Sequence, residues 1–156
     1  MKTVTELALV LACASLGAVA TWKVTGPPSR AVICDPATIT PDEICLSTVQ
    51  AEWPAGSFLW IDARPAAEWK LNGIPGSIPL TMTGDTSFDE QVEASLEKLG
   101  TAQRALVYCG SSGCGVSKEV AKRLKDLGFI PEVRALHGGW DALKQAGLVK
   151  DSSPAN

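Results

Sequence analysis

From residue 40 onward, apolar positions fall alternately into short unbroken runs and into helical spacings, and each change of period is marked by a turn or cap residue. Thr40 followed by Pro41, Asp42 and Glu43 has the form of an N-cap, a first-turn proline and acidic residues facing the helix dipole, which predicts a helix through about Ala51. Phe58-Leu-Trp-Ile61 reads as a strand closed by Asp62, and Pro65 to Leu71 as a short helix after it. Ile74 to Leu80 reads as a turn feeding a brief second strand. Between Asp89 and Leu99 the apolar residues Val92, Leu96 and Leu99 recur at spacings of four and three, and Gly100 follows as a stop, so one amphipathic helix is expected there.

Ala105-Leu-Val-Tyr-Cys109 is a buried strand by length and composition. Val116, Val120, Ala121, Leu124 and Leu127 mark the next helix, with Gly128 at its C-cap. Pro131 to Leu136 supplies a last strand before Gly138-Gly139, and Trp140 to Ala146 a last helix before Gly147. Strands alternating with helices predict an α/β fold, a parallel sheet flanked by helices on both faces.

The first residues follow a different pattern. After Met1 and Lys2, the run from Leu7 to Ala20 is almost free of charge and closes on Trp22 and Lys23. Its length lies between a signal-peptide core and a spanning helix. Residues 1–24 are therefore read as a membrane anchor or signal segment, 25–36 as a linker, 37–150 as one globular domain and 151–156 as a polar tail. The expected placement is a single-pass N-terminal anchor with the domain extracytoplasmic, in the periplasm. The alternative is a cleaved signal and a soluble periplasmic domain.

Composition narrows the field. Of 156 residues, 46% are apolar and 20% charged, enough for one domain with a proper core. The net charge of −3 is spread without basic clusters, which argues against a nucleic-acid partner. Cys34 and Cys45 enclose a short segment with two prolines. Its closure by a disulfide is chemically sensible outside the cytosol, and two small buried hydrophobes are the plainer alternative.

Reactive groups in open parallel sheets gather beyond the carboxyl ends of the strands, where Cys109 sits. Cys109-Gly-Ser-Ser-Gly-Cys-Gly-Val-Ser117 has the small residues that let successive N–H groups turn inward around one point, ahead of a helix whose positive end favours a thiolate. A glycine-rich turn with a cysteine chosen for packing is the bland counterpart. A phosphatase or arsenate reductase loop needs an arginine where Gly115 stands, and a nucleotide P-loop needs a lysine that Val116-Ser117 does not provide.

Three pieces in order resemble the rhodanese family of sulfurtransferases, over about Pro41 to Leu148. They are Leu59-Trp-Ile-Asp-Ala-Arg64 with Glu68-Trp69, then Gly73-Ile-Pro-Gly-Ser-Ile78, then Val107-Tyr-Cys109 with its loop and Leu136-His-Gly-Gly-Trp140. The resemblance implies that Cys109 is catalytic and accepts a sulfane sulfur as a persulfide. It implies that the loop of Gly110, Ser111, Ser112, Gly113, Cys114 and Gly115 binds the substrate sulfur, and that Asp62 and Arg64 organise the loop from beneath. A small sulfur donor and a thiol or protein acceptor are the implied partners, with no metal and no organic cofactor.

Gly73 replaces the family's histidine, the loop is longer than is usual, and it holds no Arg or Lys. A dianion such as thiosulfate would meet only N–H groups and a dipole. Cys114 allows a rival chemistry in which Cys109 and Cys114 exchange thiol and disulfide, and a non-catalytic module that binds a partner protein is a third reading. His137, the sole histidine, ends a strand on the same side of the sheet as Cys109. It could give a proton or tune the thiolate, and a structural loop histidine is the bland alternative.

Overall fold

A computed structural model of the chain describes residues 31–110 and 115–150. The apolar segment read as an anchor lies outside the described residues, as does the tail from Asp151. Among the described residues no helix is long and apolar enough to cross a membrane.

Five strands form one sheet: β1 (Glu43–Ile44), β2 (Leu59–Asp62), β3 (Ile78–Pro79), β4 (Arg104–Tyr108) and β5 (Glu132–Leu136). Their order is β1-β5-β4-β2-β3 and every pairing is parallel. Among the described residues, five helices connect them, α1 (Leu46–Glu52), α2 (Ala66–Asn72), α3 (Phe88–Ala94), α4 (Leu96–Thr101) and α5 (Val116–Leu127), and α6 (Gly139–Gln145) follows β5. The expected α/β architecture is present, and its central strand is β4.

Period-two alternation along β4 divides the core in two. Ala105, Val107 and Cys109 pack with Phe88 and Val92 of α3, Leu99 of α4, and Val120, Ala121 and Leu124 of α5. Leu106 and Tyr108 pack on the other face with Leu46 and Val49 of α1, Trp53, and Trp140 and Leu143 of α6. Residues 105–108 are wholly buried and Cys109 is 1% exposed. Burying each large side chain of this strand contributes about 1.5–3 kcal/mol.

Two sequence expectations change. The helix expected from Thr40 is a turn, the edge strand β1, and then α1. Thr40 and Glu43 do form a box: the Thr40 hydroxyl donates to Glu43 Oε2 at 2.8 Å, and the Glu43 amide donates to the Thr40 carbonyl at 2.9 Å. The chain then extends because β5 claims its carbonyls, Ala135 N donating to Asp42 O at 2.9 Å and His137 N to Ile44 O at 3.0 Å. Helix α1 starts only after Cys45.

The helix expected over Asp89 to Leu99 is broken at Ser95, whose φ of −115° and ψ of 6° end α3 and begin α4. Val92 and Leu99 stay in the core, but the break turns Leu96 out to 43% exposure. Ser87 and Glu90 close a capping box at the start of α3, setting its first residue at Phe88.

Candidate active site

Cys109 is the first residue past β4, with its side chain on the α5 face. Its carbonyl accepts a 2.7 Å hydrogen bond from the Trp140 amide, so the start of α6 is fastened directly to the cysteine backbone. That approach dictates the glycine pair. Gly139 has φ of 48°, and a Cβ there would stand 2.5 Å from the Cys109 carbonyl oxygen; Gly138 has φ of 81°, and a Cβ there would stand 2.3 Å from Val32 Cγ1. No side chain fits at either position.

Downstream of the cysteine, Gly115 occupies the N-cap position of the twelve-residue helix α5 and its carbonyl accepts from the Glu119 amide at 3.1 Å. The positive end of α5 therefore lies at Gly115, where the segment that follows Cys109 ends. Gly110 and Gly115 are the described ends of that segment. Ser111, Ser112, Gly113 and Cys114 lie outside the described residues.

Asp62 and Arg64 come together beneath the site. Arg64 reaches Asp62 with Nε at 3.0 and 3.2 Å and with a terminal nitrogen at 2.8 Å, while its other terminal nitrogen meets Asn72 at 3.0 Å and Glu68 at 3.5 Å. The guanidinium lies 3.7 Å from the centre of the Trp140 ring. Asp62 also accepts from the Tyr108 hydroxyl at 2.7 Å, and that hydroxyl accepts from the Ile74 amide at 3.3 Å. Asp62 is fully buried and Arg64 is 3% exposed, and no buried side-chain polar atom among the described residues lacks a partner.

The electrostatics follow from that packing. Burial works against the Arg64 charge, but the Asp62 hydrogen bonds and charge outweigh it and raise the guanidinium above its ordinary value. Burial, reinforced by the Asp62 carboxylate, pushes the Tyr108 hydroxyl up to about 12. Arg64 is thus spent on Asp62 and Trp140, binding the end of β2 to α2 and α6 under β4.

His137 follows β5. Val107 and Ala135 are partners across β4 and β5, so Cys109 and His137, each two residues further on, both follow the carboxyl ends of neighbouring strands. The imidazole Nδ1 lies 3.3 Å from Glu43 Oε1, and Glu43 Oε2 lies 3.2 Å from Lys118 Nζ in the first turn of α5. Burial would raise the Glu43 carboxyl, but hydrogen bonds from Thr40, Lys118 and His137 prevail and hold it below its ordinary value.

Cys34 and Cys45 are joined in a disulfide with Cα atoms 5.7 Å apart. Beside it lies a cavity of about 280 Å³ bordered by Val32, Cys34, Gln50, His137 and Gln145.

Gly73, where the resembling motif has histidine, is closed to side chains, since a Cβ would stand 2.5 Å from Trp69 Cδ1. The sequence alone assigned no site role to Tyr108, Trp140, Glu43 or Lys118. A tyrosine inside a wholly apolar strand was the available signal, because its buried hydroxyl needs a partner.

The Rhodanese-like domain family matches residues 47–146. In structure the chain is similar to thiosulfate sulfurtransferase from Pseudomonas aeruginosa, at 27% identity and a TM-score of 0.52, over 72% of this chain and 20% of that one. It is also similar to the rhodanese-like domain of an Anabaena protein, at 18% identity and a TM-score of 0.52, over 75% of this chain and 87% of that one. A Lactobacillus plantarum protein matches at 24% identity and a TM-score of 0.51, over 68% and 84%. No curated protein sequence matches the chain.

Proposed function

The chain belongs to the Rhodanese-like domain family, and on that premise we propose that it is a sulfurtransferase working through a persulfide on Cys109. The observation that carries this reading is the placement of Cys109: it is buried at the carboxyl end of the central strand, its backbone is clamped by Gly139 and Trp140, and the twelve-residue helix α5 starts from Gly115, six residues further along the chain. A helix N-terminus favours the thiolate, the nucleophilic form.

In the first half-reaction the Cys109 thiolate attacks the outer sulfur of a donor. The new S–S bond forms as the donor's own bond to that sulfur breaks, and the donor leaves with the electron pair. In the second, an acceptor thiolate attacks the outer sulfur of the persulfide and the Cys109 thiolate departs. No net oxidant or reductant is needed. The binding roles of Gly110, Ser111, Ser112, Gly113, Cys114 and Gly115 rest on their sequence. With Arg64 committed to Asp62, no cation of that pair is offered to a dianion, which favours a persulfide over thiosulfate as donor.

The proposed setting is a membrane-anchored, extracytoplasmic domain. The apolar run from Leu7 to Ala20 and the Cys34–Cys45 disulfide both support it. A topology reporter fused after Asn156 tests the placement.

The chemistry is tested by mass spectrometry of the full chain after incubation with glutathione persulfide. One added sulfur atom on the Cys109 peptide, absent in Cys109→Ser, is the expected result. Loss of two hydrogens linking Cys109 to Cys114 would instead establish dithiol redox. An unchanged Cys109 peptide would leave a partner-binding module.

A further inference from the structure

Ahead of β1, residues 32–34 cross the end of α6 as a strap. The Val32 amide donates to Gln145 Oε1 at 2.8 Å, and the Val32 side chain lies directly on the Cα of Gly138. Two residues on, Cys34 is bonded to Cys45, which is wholly buried at the N-cap of α1. Gly138 leads into Gly139, whose Cα lies against the Cys109 backbone, and Trp140 donates to the Cys109 carbonyl. An unbroken line of covalent bonds and close contacts thus runs from the disulfide through Val32 and the glycine pair to the reactive cysteine.

We propose that Val32, pinned by the Cys34–Cys45 disulfide, is a positioning residue for Cys109. This deepens the sulfurtransferase reading and rests on it.

Three observations support the assignment. Gly138 and Gly139 both lie at positive φ, the part of the clamp with the least conformational preference of its own, and Val32 presses on the first of them. The strap does little ordinary core work, since Val32 is only half-buried and Ile33 is 84% exposed. The cavity of about 280 Å³ beside Val32 and Cys34 gives the strap room to leave its seat once the disulfide is absent.

The test compares the full wild-type chain with Val32→Ala, Val32→Ile and the double variant Cys34→Ala/Cys45→Ala. Folding is checked by circular dichroism. Iodoacetamide labelling of the Cys109 peptide is followed against pH, and persulfide formation is followed with glutathione persulfide. Val32→Ala and the double variant should raise the labelling midpoint by about one pH unit, as the Cys109 backbone loses its clamp and shifts relative to the N-terminus of α5. They should also slow persulfide formation about tenfold, whereas Val32→Ile stays within twofold of wild type. If both strap variants fold and stay within twofold of wild type in both assays, the proposal fails. Should the double variant not fold, Val32→Ala alone decides, because it keeps the disulfide. A wild-type Cys109 that is labelled normally but gains no sulfur overturns the sulfurtransferase reading, and the labelling series still judges the strap.

Discussion

Tyr108 and Cys109 are neighbours in the chain, nearly equally buried, and open onto opposite faces of the sheet into unlike surroundings. On the Tyr108 side the hydroxyl, the Asp62 carboxylate and the Arg64 guanidinium form a closed polar lattice, capped by the Trp140 ring, with every hydrogen-bonding group used. On the Cys109 side the sulfur meets the apolar packing of α3, α4 and α5. A lattice in which every buried polar atom is partnered holds shape. Successive residues at the end of one strand therefore carry the polar support and the proposed nucleophile.

That division predicts a double dissociation. Cys109→Ser should abolish persulfide formation entirely while costing about 1 kcal/mol of stability, since one small buried group is exchanged. Arg64→Met should do the reverse in kind. It strands the buried Asp62 charge and costs about 3–5 kcal/mol, seen as a melting temperature lower by roughly 10–20 °C. Sulfur transfer should persist in the fraction that stays folded. Equal losses of transfer per folded molecule in the two variants would erase the distinction between the faces.

Gly139→Ala joins the two sides and should damage both. Its Cβ would enter the Cys109 carbonyl at 2.5 Å from a backbone already at φ of 48°. About 2–3 kcal/mol of destabilisation is expected from the forced conformation and the clash together, with transfer slowed because the clamp on Cys109 is displaced. Calorimetry and a transfer assay on the same preparation check it. A variant that is destabilised but transfers normally would mean that the clamp is only structural.

Much of this was legible in sequence, and the illegible parts share a cause. The β4 run, the α5 spacing and the Gly128 stop are local patterns, and the structure places Gly128 at φ of 71° as the cap of α5. β1 was not legible, because two residues become a strand only by pairing with β5 more than ninety positions away, and the Thr40–Glu43 box imitates a helix start. The partners of Asp62 and Arg64 came into view only with the fold: Tyr108 and Trp140 stand on other elements and no local pattern aims them at that pair. The same holds for His137 and Glu43, joined across β1 and β5. The Cys34–Cys45 spacing left a bond and two packed thiols equally open, and only the proximity of the chain segments distinguishes them.

The smallest expected effects are two pH limbs, one from each side of β4. For Tyr108 the folded value is raised from 10 to about 12, so the neutral hydroxyl belongs to the folded state. Its contribution is complete below pH 10 and is lost as pH rises from 10 toward 12, because the unfolded tyrosine ionises first. Glu43 has the opposite sense. Its folded value lies below the ordinary 4.5, so its contribution is complete above that pH and disappears as acid protonates the folded carboxylate and releases Thr40, Lys118 and His137. Stability should therefore fall at both extremes, with Tyr108→Phe flattening the alkaline limb and Glu43→Gln the acid one. Urea titrations at a series of pH values separate the two, and an acid limb that survives in Glu43→Gln would move its origin to another carboxylate.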